Sequence, residues 1–314
     1  MAQSVFGRQL NSFISARRLK TSSLRRGRLI ASWLFPLPAI LVVAVMLAYP
    51  VGYTVWLSLH DLSPFNLENP EWIGTENYAA LLKDTRFHAA LERTAYFTLG
   101  ALALQVALGL GMALLFNHNF VGRGVVRTLF LLPMVATPVA MSLIWMLILN
   151  PVDGVANWIL ETLGLPPQLW LNSADSVLPT LILMDTWQWS PLVMLMILAG
   201  MTALPHEPFE AAAIDGASWW QSFRFLMLPM LRPTIMVALM FRSIDCLKTF
   251  DIIYGTTQGG PGFASETLNL YIYKTGFDYF RLGYAAAALV VFFTLVLSVS
   301  LLLIILRRRT EAAA

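Results

Sequence analysis

A few charged side chains stand in sequence otherwise built for hydrocarbon, and any chemistry must be sought there. Arg242, Asp245, Lys248 and Asp251 fall within Met240–Tyr254. The run Asp185-Thr186-Trp187-Gln188-Trp189 interrupts an apolar stretch upstream. A charge in hydrocarbon is costly and normally faces a cavity or a partner. Arg242–Asp245 and Asp245–Lys248 are spaced i,i+3, so each pair can meet on one helix. The segment is either an ion-pair network fixing a helix against its neighbours or the wall of a hydrophilic path, and the two are compatible. Asp185 is the lone charge of its stretch and can pair with Arg242 or Lys248. Trp187 and Trp189 lie too deep for an interfacial belt and can stack on a sugar ring, with Gln188 between them and Tyr254 ending the later segment. Asp185, Asp245 and Asp251 have no nucleophile or metal-ligand spacing around them, so no catalytic residue is assigned. No metal site is expected: His60, His88, His118 and His206 are far apart, and Cys246 is the single cysteine.

The elements that must position these groups are membrane spans. The chain has 314 residues, 57% hydrophobic and only 12% charged, where soluble proteins carry about 25% charged residues. A window of about 20 residues gives an all-α integral membrane protein with six spans. They lie in Leu29–Leu59, at about Thr94–Phe116, Thr128–Leu149, Val177–Ala203 and Thr234–Tyr254, and at Leu282–Leu306, stopped by Arg307-Arg308-Arg309. Residues 1–28 form a basic tail with Arg8, Arg17, Arg18, Lys20, Arg25, Arg26 and Arg28, suited to anionic lipid; a transit peptide is the rival reading. Residues 29–306 are the transmembrane domain and 307–314 a second tail. Placing both termini in the cytoplasm puts Arg123, Arg127, Arg224 and Arg232 inside too. The outer loops then hold Lys83, Arg86, Arg93, Lys274 and Arg281, with acidic residues from Asp61 to Glu92, as the positive-inside rule requires. A short amphipathic helix is expected around Asn77–Leu91. Gly255–Gly262 reads as a turn at the membrane surface, since it lacks the Lys and the strand–loop–helix context of a phosphate loop. No nucleic-acid signature is present.

Between spans four and five lies a polar stretch, 204–233, that describes two short helices. Pro205 and Pro208 can open the first, Glu207 and Glu210 suit its positive end, and Ala211, Ala212 and Ala213 are strong formers. Gly216 can end it in the left-handed conformation. Ser218 and Gln221 have capping-box spacing for the second helix, which Pro229 and Pro233 are expected to close.

Glu210-Ala211-Ala212, Gly216 and Leu228-Pro229 resemble the EAA loop of binding-protein-dependent ABC importers, with Leu226 where the family has Ile. Tyr49-Pro50-Val51-Gly52-Tyr53, the Asn77-Tyr78 region, Arg127 to Pro133, Phe250–Tyr254 and Gly259-Gly260-Pro261-Gly262 are similar to the maltose-permease type of sugar permease. The resemblance implies a bacterial or archaeal inner-membrane permease, with a second permease chain as heterodimer partner, two ABC ATPase subunits and an extracytoplasmic solute-binding protein. ATP and Mg would be used by the ATPases, and no cofactor is held by this chain. Glu210, Ala211, Ala212, Ala213, Asp215, Gly216, Ala217 and Ser218 would form a cytoplasmic coupling helix seated on an ATPase. The solute implied is a sugar or polyol, with glycerol phosphate compounds open. An ion-coupled secondary transporter would need inverted repeats, and none is detected.

Overall fold

The computed structural model describes residues 36–312. The basic tail at 1–28 and the opening of the first apolar run lie outside the described residues. Contacts divide the chain into two units, 1–56 and 57–314. Helix α1 (Leu37–Ser58), in the first unit up to Trp56, continues through Pro50. Tyr49, Tyr53 and Trp56 form a ring ladder along it, with centroids 6.1 and 5.8 Å apart. Its apolar side chains, such as Leu41, Met46 and Leu47, are exposed, as on a helix facing lipid or a partner.

The second unit opens with a small departure from an all-α fold. Strands β1 (His60–Asp61) and β2 (Glu71–Trp72) pair antiparallel, followed by α2 (Glu76–Leu81). The expected helix over Asn77–Leu91 is split, because Asp84 caps a new one. Its carboxylate accepts from the N–H groups of Arg86 and Phe87 at 2.8 and 3.2 Å, and α3 (Thr85–Asn117) runs from there. The span expected from Thr94 therefore starts a helix two turns earlier. Helix α3 packs along α7 (Val177–Thr202). A Cβ placed on Gly109 would come 2.7 Å from Val193 Cγ1, so glycine is what lets these helices approach so closely.

The third expected span, Thr128–Leu149, is not one straight helix. Helices α4 (Arg123–Val135) and α5 (Pro138–Ile148) meet at 101°. Pro138 offers no N–H and drives the residue before it out of the helical region; Thr137 and Ala136 are accordingly extended, with ψ of 143° each. Helix α6 (Val155–Thr162) follows.

After α7 come α8 (Glu207–Ile214) and α9 (Trp219–Ser222). Pro229 and Pro233 do not close α9. A π turn at Phe223–Met227 leads directly into α10 (Leu228–Leu247), with Pro229 in its first turn and Pro233 inside it. The wider π turn gives up the regular ladder just where Pro229 cannot donate. The fifth span also ends earlier than Tyr254. The chain leaves the helix at Lys248 and re-enters it as α11 (Asp251–Thr256). Helix α12 (Leu268–Tyr273), a second π turn and α13 (Leu282–Ala312) complete the fold. The hydrocarbon run of α13 stops near Arg307 and Arg308, but the helix does not. Among the described residues, five helices are long and apolar enough to cross a membrane, and a sixth span arises if the bent pair is one.

Candidate functional site

Three interruptions or charges converge on one cavity of the second unit: the α4–α5 bend, the gap between α10 and α11, and the polar run of α7. Non-helical backbone inside a membrane is tolerated where it lines a cavity or is buried in protein. The carbonyls opened at the second gap are satisfied, since Asn269 Nδ2 donates to Lys248 O at 2.7 Å and Thr267 Oγ1 to Thr249 O at 3.5 Å. The cavity there, about 280 Å³, is lined by Asp185, Gln188 and Trp189 of α7, Arg242 and Asp245 of α10, Lys248, and Asp251 of α11. Pro138, Thr249, Phe250 and Ile252 also line it and were not among the residues expected to line the path, although Phe250 and Ile252 fall in a segment that carries the family resemblance.

Two other candidates lie elsewhere. Trp187 is exposed and meets Trp145 edge-on at 5.4 Å. Tyr254 stacks on Phe250 at 5.1 Å and abuts Tyr273.

Below the cavity wall the polar groups are locked together. Arg242 is 1% exposed and Asp185 4%. Arg242 Nη2 donates to Asp185 Oδ2 at 3.1 Å and its Nε to Gln105 Oε1 at 2.8 Å. Gln105 Nε2 in turn donates to Asp185 Oδ2 at 2.7 Å. Arg242 Nη1 reaches Asp245 at 3.4 Å, and the guanidinium lies 4.8 Å from the Trp189 ring centre. Asp185 thus pairs with Arg242, and among the described residues Lys248 makes no ion pair with Asp245 or Asp185. Gln105, fully buried and joining α3 to this cluster, was not anticipated. Its one signal is polarity in the middle of an apolar run.

A second polar network ties separate segments together. Asp84 accepts from the hydroxyls of Tyr271 and Tyr284 at 2.6 and 2.9 Å. Burial opposes its carboxylate, but these bonds and the cap bonds outweigh burial and hold it below the ordinary range. Arg86 Nε donates to the buried Glu266 at 2.8 Å, and Arg86 packs over Phe263 at 3.9 Å. Of Gly255–Gly262, expected as a turn, Gly255 and Thr256 instead end α11; the turn follows them, with Gly259 and Gly262 at φ of +88° and +59°.

The α8–α9 elbow is built entirely from its own caps. Gly216 has φ +77°, its N–H donates to Ala213 O, and the Ala217 N–H donates to Ala212 O at 2.9 Å. This is the double bond pattern of a Schellman cap. Ser218 Oγ accepts from the Gln221 N–H, and Gln221 Oε1 accepts from the Ser218 N–H at 2.7 Å, completing the capping box. No residue of α8 is buried; Glu210, Ala211, Ala213 and Asp215 are exposed, Ala212 half-exposed, and Ile214 is 86% exposed.

The model of the binding-protein-dependent transport system inner membrane component family matches residues 105–312. The chain belongs to that family. This permease is 37% identical over 281 residues to the trehalose/maltose transport system permease protein MalF of Thermococcus litoralis, an alignment covering 88% of this chain and 94% of the relative. It is also 37% identical over 263 residues to the sulfoquinovosyl glycerol transport system permease protein SmoG of Agrobacterium fabrum, covering 83% and 85%. Its fold is similar, with a TM-score of 0.76, 25% identity and coverage of 93% and 99%, to a chain of a bacterial ABC transporter involved in import of the acidic polysaccharide alginate. The permease is an ABC-importer component of the inner membrane.

Proposed function

We propose that this permease forms half of a translocation path for a sugar or polyol and receives the work of ATP hydrolysis through the α8–α9 elbow. A second permease chain supplies the other half as a heterodimer partner. Two ABC ATPase subunits bind ATP and Mg, and an extracytoplasmic binding protein delivers the solute. Both termini and the elbow face the cytoplasm, as the distribution of Arg and Lys favours. The observation that carries the coupling reading is the elbow itself. Its backbone is closed by a Schellman cap and a capping box while no side chain of α8 is buried, and Ile214, Trp219 and Trp220 stand exposed. A rigid element that presents its side chains outward is suited to transmit force to a partner. Glu210 offers that partner a charge, and Ala211, Ala212 and Ala213 allow close approach.

The transport reading draws on the cavity, where Trp189, Gln188 and exposed Asp245 supply a ring face and hydrogen-bonding groups for hydroxyls. Relatives named for trehalose and maltose support a carbohydrate solute.

Gly216 tests the coupling. Nothing in this chain lies within 4 Å of a Cβ placed there, so within the permease itself a substitution acts through the backbone. Gly216→Val, forced toward a left-handed conformation that costs an L-residue about 1–2 kcal/mol, should abolish solute-stimulated ATP hydrolysis in the reconstituted importer. Gly216→Asn should retain most of it, because Asn tolerates that region. Equal activity of both variants contradicts the assignment.

A further inference from the structure

Relatives at the same 37% identity are named for trehalose and maltose and for sulfoquinovosyl glycerol, and a solved relative serves import of an acidic polysaccharide. Similarity therefore leaves the charge of the solute open. The cavity does not. Its most buried cation is already spent: Arg242 Nε is held by Gln105, Nη2 by Asp185 and Cys246, and Nη1 points to Asp245. With the Arg242 side chain 2% exposed, no fork is left for the bidentate grip that carboxylates and related anions favour.

The groups that do reach the open space have the opposite bias. The Asp245 side chain is 52% exposed, Asp251 is exposed as well, and Lys248 is the one exposed cation among the described lining residues. Carboxylates accept hydrogen bonds from hydroxyls. They repel an anion, and more strongly in a membrane-enclosed cavity than in bulk water.

We propose that this cavity takes an uncharged polyhydroxylated solute and turns away one bearing a carboxylate or sulfonate, with Asp245 and Asp251 setting the discrimination. The proposal rests on the reading of the cavity as part of the solute path and adds to it the charge class of the cargo.

The test is titration calorimetry on the complete nucleotide-free importer in detergent, without the binding protein, so that only the membrane site is read. The probes are trehalose, maltose and sorbitol, each against the acid in which one primary alcohol has become a carboxylate. At least one neutral probe should bind, and at least tenfold more tightly than its acid. That preference should contract when ionic strength rises from about 0.05 to about 0.5 M, a readout that needs no substitution. In the double variant Asp245→Asn, Asp251→Asn it should fall below threefold; Arg242 keeps Asp185 and Gln105 there, so the buried cluster persists. An acid bound as tightly as its alcohol, or a preference unmoved by both salt and the double variant, overturns the charge rule and leaves the path reading standing. Binding of no probe by an importer that still hydrolyses ATP overturns the cavity as the solute site and the charge rule with it.

Discussion

Replacing Arg242 with alanine strands a carboxylate inside the helix bundle. Asp185, 4% exposed, loses its only salt-bridge partner among the described residues, and Gln105 loses the donor to its Oε1. Removing one member of a buried, hydrogen-bonded ion pair costs about 3–5 kcal/mol, most of it the penalty on the charge left behind. At about 2–4 °C per kcal/mol, the scale of domains of about 150–250 residues, the midpoint of thermal unfolding should fall by roughly 6–20 °C, toward the lower end for this longer chain. The protein carries its own probe: Cys246 is the single cysteine and is buried. A fluorogenic thiol reagent, applied to an importer with cysteine-free partners, therefore reports opening of this region as the sample is heated. The control is the double variant Arg242→Met, Asp185→Asn. It removes both charges and leaves an amide that can still bond Gln105, and it should recover to within about 1–2 kcal/mol of the parent, since apolar or neutral replacement of a whole pair is often nearly neutral. The reasoning fails if Arg242→Ala melts within about 2 °C of the parent, or if the double variant melts below the single one.

Gly109→Ala should lower stability by about 1–3 kcal/mol through overpacking, because the added methyl meets Val193 Cγ1 at 2.7 Å. Gly111→Ala, with nothing within 4 Å, should be neutral or gain up to ~1 kcal/mol of helix propensity; the same thermal assay compares them, and equal losses would contradict the close-approach argument. Ser218→Ala should cost α9 about 1 kcal/mol, seen as roughly fivefold faster amide exchange at Gln221, while Ser218→Asp keeps the parental rate. Asp84 gives a pH dependence. Its folded-state value lies below the ordinary 3.8, so its contribution is present above that value and lost as pH falls through the lowered one. The parent's melting temperature should therefore drop below about pH 4, and Asp84→Asn should lack that component of the drop; parallel pH profiles would count against it.

Much of this is legible in the sequence alone, and the reasons differ by region. The elbow was readable because its caps are local: Gly216, Ser218 and Gln221 each act within a few residues of themselves. The apolar helices were readable because hydrocarbon imposes length and composition together. The broken third span was not, since Pro133 and Pro138 both stand in one apolar run. Only the structure distinguishes Pro133, accommodated inside α4, from Pro138, which starts a new helix at 101°. The early end of the fifth span was hidden for a related reason. Lys248–Phe250 can leave the helix only because Asn269 and Thr267, far along the chain, take its open carbonyls. Arg86 and Glu266 are likewise separated by 180 positions, and no local pattern joins them. The Arg242–Asp185 pairing was among the possibilities from charge scarcity alone, but Gln105 as third member needed the α3–α7 packing to be seen.

The connection between α8 and α9 has one further consequence. The N–H groups of Asp215, Gly216 and Ala217 donate back into α8, and that of Ser218 donates forward to Gln221. No backbone donor in the bend waits for anything outside it. Ordering a loop afresh at every contact would cost about 1–2 kcal/mol per residue, a toll levied once per catalytic cycle. In the coupling role proposed above, a bend that holds its shape unaided would be gripped and let go indefinitely with no refolding between rounds. The strength of the grip is then free to be weak, and its release fast.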